Sequence, residues 1–169
     1  GWVRFGVTQW TKTQEFWDKW SVAFHGLKQD IIKSVIEHGG SLAMPGDELP
    51  DGTMLKSERC GGRQDKCVYT SPTVRYAGLR FYATPRRVFP QSTLMSQIVL
   101  QCRHQPGTFR IQRETMRFSR GKQIVCPHVS NGEVEWVTTR RQTVVVYGIL
   151  VRTYLLQEPP EEGFVSPVD

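Results

Sequence analysis

The apolar spacing of this chain changes period part-way along, and that change limits the fold more than any other feature. Before residue 84 the apolar positions recur at three and four residues, the repeat of an amphipathic helix. Ile31, Ile32, Val35 and Ile36 form the clearest case, over residues 27–38, and Gly39-Gly40 stops the pattern as a helix C-cap does. Phe16, Trp17 and Trp20 predict a short helix after Thr13. Residues 73–83 predict a third helix, with Thr73 or Ser71 as its N-cap and Val74, Ala77, Leu79 and Phe81 partly inward. Beyond Ala83 the runs are strand-like: residues 96–103, 107–111 and 142–156, with Ile98-Val99-Leu100 and Val144-Val145-Val146 as buried centres. Helices early and strands late predict an α+β domain instead of alternating βαβ units.

Two strands interrupt the helical half. Residues 21–26 are apolar and β-prone and break at Gly26, which puts His25 at the C-terminal end of a strand. Cys67-Val68-Tyr69-Thr70 reads as a short strand halted by Ser71-Pro72. Between them residues 41–66, with Gly46, Gly52, Gly61, Gly62, Pro45 and Pro50, read as one long loop, and a loop of that length in a compact domain tends to border a site.

A chain of 169 residues is long enough to build one core without metal or disulfide staples, so a single domain over residues 1–157 is expected. Residues 158–169, rich in Pro and Glu, read as a tail or linker, which suggests a monomeric domain cut from a larger protein. No apolar run approaches the roughly 18 residues of a bilayer span, and the first residues carry no leader pattern. No membrane partner is expected, and an intracellular compartment, cytoplasm or nucleus, is slightly favoured. Cys60, Cys67, Cys102 and Cys126 contain no CxxC pair, so no metal site is expected; buried thiols are favoured over a Cys60–Cys67 disulfide. With 22 Lys and Arg against 16 Asp and Glu the formal charge is +6, which favours anionic partners such as DNA, RNA or an acidic protein.

Taken singly, His25, Tyr69 and the pair Glu133 and Glu135 each have bland readings, as a core histidine, a packing tyrosine and a solvated strand edge. Their order changes the weighting. A strand ending Phe24-His25-Gly26, a helix running to Gly40, a Gly-rich loop, the strand Val68-Tyr69-Thr70-Ser71 and a helical segment holding Tyr76 and Tyr82 follow one another. Glu135-Trp136-Val137 and a final apolar strand through Val144-Val145-Val146 close the series. This layout resembles the ADP-ribosyltransferase superfamily, in its diphtheria-toxin and poly(ADP-ribose)-polymerase-like branch with a His-Tyr-Glu site, and the resemblance spans most of the chain. It implies an ADP-ribosyltransferase-like fold: two packed antiparallel-rich sheets with helices mainly in the N-terminal half.

The resemblance also implies NAD as substrate, with no metal. His25 would hydrogen-bond a ribose hydroxyl, the Gly26 backbone would hold the nicotinamide amide and Tyr69 would stack on the ring. Thr70, Ser71 and, of the two later tyrosines, Tyr82 would complete the NAD contacts. Glu135 would bind the ribose 2′-hydroxyl and stabilise the sugar cation, making Glu135, His25 and Tyr69 the catalytic set. Glu133 matches the paired glutamates of the arginine-modifying branch, as an acceptor-orienting residue or an exposed one. No features for chain elongation are found, so the implied activity is a mono-ADP-ribosyltransferase acting on a protein or nucleic-acid acceptor. An NAD glycohydrolase and a catalytically inactive binding module of the same fold are the alternatives. An RNA 2′-phosphotransferase is disfavoured, because Arg75, Arg80, Arg86 and Arg87 follow the tyrosine strand and do not surround His25.

Overall fold

The two longest apolar runs of the C-terminal half pair with each other and form the spine of the molecule. The computed structural model describes residues 1–7, 13–37, 40–55, 66–115 and 124–156. Its strands are β1 (Val3–Gly6), β2 (Ser21–Gly26), β3 (Val68–Thr70), β4 (Arg86–Arg87), β5 (Leu94–His104), β6 (Arg110–Gln112), β7 (Glu135–Thr138) and β8 (Val144–Leu155). Its helices are α1 (Gln14–Lys19), α2 (Ile32–Glu37) and α3 (Val74–Ala77). One sheet runs β1-β8-β5-β2, with β4 also pairing β5; the other runs β3-β7-β6. All pairings between these strands are antiparallel. The protein is thus a mixed, strand-rich fold of two antiparallel sheets, and its described helices all precede β4.

Alternation along β5 sends side chains to two different cores. Leu100 and Cys102 face Ala23, Val144 and Val146, and on that side they meet Val68 of the second sheet and Val35 of α2. Val99 points the other way, with Leu150, onto Ala77 and Ala83. Because β5 and β8 are covered on both faces, they read as continuous apolar runs instead of an alternating pattern. The sheets meet at one edge, where Phe24 and Ser71 exchange backbone hydrogen bonds of 2.8 and 2.9 Å. That junction lays the end of β2, with His25 and Gly26, beside β3, with Tyr69 and Thr70.

Three expectations from the sequence need correction. The helix over residues 27–38 begins late: a 3-10 turn over Gln29–Ile31 precedes α2. The helix over residues 73–83 is one turn long, although Thr73 caps it as expected by accepting from the Arg75 amide at 3.2 Å. After Ala77 the chain turns, because the buried Gln97 amide donates to the carbonyls of both Gly78 and Ala83, at 3.2 and 2.7 Å, and holds this segment as a tight turn. The loop over residues 41–66 is, as far as residue 55, a folded hairpin with a Glu48–Met54 bridge. Asp47 caps it by accepting from the Met44 amide at 2.8 Å. Gly46 and Gly52 take φ values of +86° and +81° there, a region other residues rarely adopt. Residues 56–65, with Cys60, and the tail after 156 lie outside the described residues. Among the described residues no helix is long and apolar enough to cross a membrane.

Candidate active site

Glu135 opens β7 and is 1% exposed, so its carboxylate needs partners to remain in the interior. It has them from β6, from the loop just after it and from α3. β6 pairs with β7 so that Gln112 stands opposite Glu135, and the Gln112 amide donates to Oε1 at 2.7 Å. The Thr115 hydroxyl lies 3.0 and 3.1 Å from the two carboxylate oxygens. From α3 the Tyr76 hydroxyl donates to Oε2 at 2.9 Å. Tyr82 in turn donates to the Tyr76 oxygen at 2.7 Å, giving a directed chain from Tyr82 through Tyr76 to Glu135. Burial first, then the neighbouring Tyr82 and Glu135, push the Tyr76 phenol far above its ordinary pKa, so it stays a donor at every physiological pH. Such donor sets hold a carboxylate in one orientation.

His25 closes β2. Its Nδ1 lies 2.7 Å from the Tyr69 carbonyl, and since a carbonyl only accepts, this contact assigns the ring proton to Nδ1. In the neutral ring Nε2 is then an acceptor, suited to a hydroxyl donor. Gly26 follows in a space that admits no side chain: a Cβ there would stand 2.2 Å from the Ala77 carbonyl oxygen and 2.7 Å from the Tyr82 Cβ. Glycine is required here by packing of β2 against α3 and the turn behind it.

These side chains share one cleft of about 250 Å³. His25, Gly26, Leu27 and Lys28 line it from the end of β2, and Val68, Tyr69, Thr70 and Ser71 from β3. Tyr76, Ala77, Phe81 and Tyr82 close it on the α3 side, Ala43, Pro45 and Leu55 come from the hairpin, and Glu135 lies at the start of β7. The volume is at the low end for a ligand pocket, enough for an aromatic ring with its sugar while the rest of a longer ligand extends outside. Of the residues singled out in the sequence, His25, Gly26, Tyr69, Thr70, Ser71, Tyr82 and Glu135 all line this cleft. Glu133 does not: it is exposed in the turn before β7, where its amide donates to the Ser130 carbonyl at 2.8 Å.

No model of a known protein family matches the sequence.

The chemistry of the cleft therefore follows from its own residues: an oriented imidazole, the aromatic rings of Phe24, Tyr69, Tyr76, Phe81 and Tyr82, and a buried carboxylate that accepts from Gln112, Thr115 and Tyr76. Among the described residues no group of three or more His, Cys, Asp and Glu side chains is placed to hold a metal ion. Sequence reasoning missed Gln112, Thr115, Phe81 and Lys28, and ranked Tyr76 below Tyr82. Phe81 carried a signal, being an aromatic in the segment already expected to supply one. Gln112 and Thr115 carried none, because the β6–β7 register brings Gln112 to Glu135 and Thr115 reaches it from the residues just after β6.

Proposed function

We propose that this domain is a mono-ADP-ribosyltransferase with an ADP-ribosyltransferase-like fold, using NAD as substrate and a macromolecular acceptor. The observation that carries the reading is the convergence of His25, Tyr69 and Glu135 on one cleft from β2, β3 and β7. In the reaction the bond between ribose C1′ and the nicotinamide nitrogen breaks and neutral nicotinamide leaves with the bonding pair. The acceptor atom bonds to C1′ and gives up its proton. The sugar passes through a cationic state, so a carboxylate fixed beforehand beside it lowers the barrier without reorganising. The donors on Glu135 supply that fixation, and the Nδ1 proton of His25 leaves Nε2 to accept from a ribose hydroxyl. The aromatic rings that line the cleft keep water from the nicotinamide and orient the scissile bond.

The test is release of nicotinamide from labelled NAD by the wild type and by Glu135→Gln, a change of nearly equal volume. Loss of the carboxylate should slow release by about 10² to 10³, the scale of one preorganised electrostatic contact. Equal release by both proteins removes Glu135 from this role. Recovery of ADP-ribose on a macromolecule, as opposed to free ADP-ribose, separates transfer from hydrolysis.

A further inference from the structure

The Glu135 carboxylate is tied to the surface of the molecule by two hydrogen bonds that follow one strand. Gln112 stands opposite Glu135 in the β6–β7 pairing, and its side-chain nitrogen lies 2.7 Å from Oε1. Two residues back along β6, Arg110 lies on the same face, since alternate side chains of a strand point the same way. Its Nη2 donates to the Gln112 side-chain oxygen at 2.9 Å. That face is the one that carries the cleft, for Val137, opposite Arg110 on β6, also stands opposite Tyr69 on β3. Arg110 is exposed, Gln112 half-buried and Glu135 buried, so the chain of bonds descends from solvent to the carboxylate.

The chemistry of its two ends leaves Gln112 one orientation. A guanidinium only donates and an ionised carboxylate only accepts, so the amide oxygen faces Arg110 and the amide nitrogen faces Glu135. Glutamine meets both demands with one planar group. An ionised glutamate could accept from Arg110 but not donate to Glu135, and leucine could do neither. The guanidinium also draws electron density from the amide, which strengthens the bond that its nitrogen donates. From α3, Tyr76 holds Oε2 at 2.9 Å, so the two carboxylate oxygens are gripped by different elements. Turning the carboxylate about its terminal bond strains both grips.

We propose that Gln112 is a positioning residue, which fixes the Glu135 carboxylate for the transition state of nicotinamide release, and that Arg110 acts on the reaction only through Gln112. This role rests on the catalytic reading of Glu135. Neither side chain touches substrate in it, so the effect falls on kcat. A carboxylate out of position is felt where positive charge develops, while ground-state binding of NAD is left to the rest of the cleft.

The test is steady-state nicotinamide release from NAD by the full chain and by variants of the two residues. Gln112→Glu, nearly equal in volume, keeps the bond from Arg110 and loses the one to Glu135; it should lower kcat about tenfold with KM within about twofold. Arg110→Leu should lower kcat about threefold, and Arg110→Lys, which still donates, should restore it. In a Gln112→Leu background Arg110→Leu should cost nothing further, because the partner through which it acts is gone. Losses that multiply in the double variant overturn the part given to Arg110. Normal kcat in Gln112→Glu, or a change confined to KM, overturns the whole. A second readout needs no turnover. In protein whose glutamines carry nitrogen-15, one side-chain amide proton of Gln112, identified by its absence from Gln112→Leu, should lie downfield and move upfield in Glu135→Gln, where the acceptor has lost its charge. An unmoved resonance also overturns the proposal. Failure of the catalytic reading has a different signature: nicotinamide release is then equal in the wild type and Glu135→Gln, while the Gln112 resonance still shifts.

Discussion

Glu135, His25 and Tyr69 were singled out in the sequence and the structure lines one cleft with all three, but what holds Glu135 was not legible. The donors on its carboxylate come from residues 20 to 59 positions away, and no local pattern encodes such pairings. Tyr76 is the informative one. It occupies the turn of α3, is 3% exposed and passes the Tyr82 hydroxyl bond on to Glu135. Tyr76→Phe keeps the ring and removes the link. On the proposed activity it should lower kcat roughly tenfold with KM little changed, since a mispositioned carboxylate is felt mainly in the transition state. Tyr82→Phe should do less to kcat, because Tyr76 still donates, and more to KM, because of these two tyrosines, both of which line the cleft, Tyr82 is the more exposed. Steady-state nicotinamide release on the two variants checks the split; a kcat loss that is larger in Tyr82→Phe would contradict the direction of the chain.

At the scale of elements, periodicity located every described helix but overstated the length of two. Apolar spacing records which side chains face inward, and an irregular turn can bury Leu79 and Ala83 as well as a helix can. What shortens α3 is the Gln97 amide, 14 to 19 residues further on, which supplies the turn's hydrogen bonds from β5. The fit of β2 against that turn was visible only as a glycine after His25. Gly26→Ala would force a methyl onto the Ala77 carbonyl and the Tyr82 Cβ, neither of which is the far end of a flexible side chain. Overpacking of this kind should destabilise the fold by about 1–3 kcal/mol and pull Tyr82 from the cleft. Urea unfolding measures the first effect. Unchanged stability would mean that β2 and α3 are not packed as described.

The two sheets are joined through a buried histidine whose role the sequence did not reveal, because the strand expected over residues 96–103 stops one residue short of His104, which closes β5. It is fully buried at the end of β5, with Nδ1 3.0 Å from the Thr70 hydroxyl of β3 and its ring 4.3 Å from Phe109. Among the described residues Nε2 has no hydrogen-bond partner. Burial pushes its pKa down to about 4, so the folded protein holds the ring neutral. The unfolded chain would protonate it near its ordinary value of about 6.5. Between those two values the unfolded state binds the extra proton, so stability is lost as pH falls from about 6.5 to about 4 and changes no further below that on this group's account. The interval corresponds to about 3 kcal/mol. Urea midpoints taken across it should fall for the wild type and fall much less for His104→Gln, which retains a polar contact for Thr70 but cannot titrate. Parallel pH curves for the two proteins would show that the junction of the sheets does not depend on a neutral imidazole. Thr70 lines the cleft while bonding His104, so loosening at low pH should reach the cleft wall before the sheets separate.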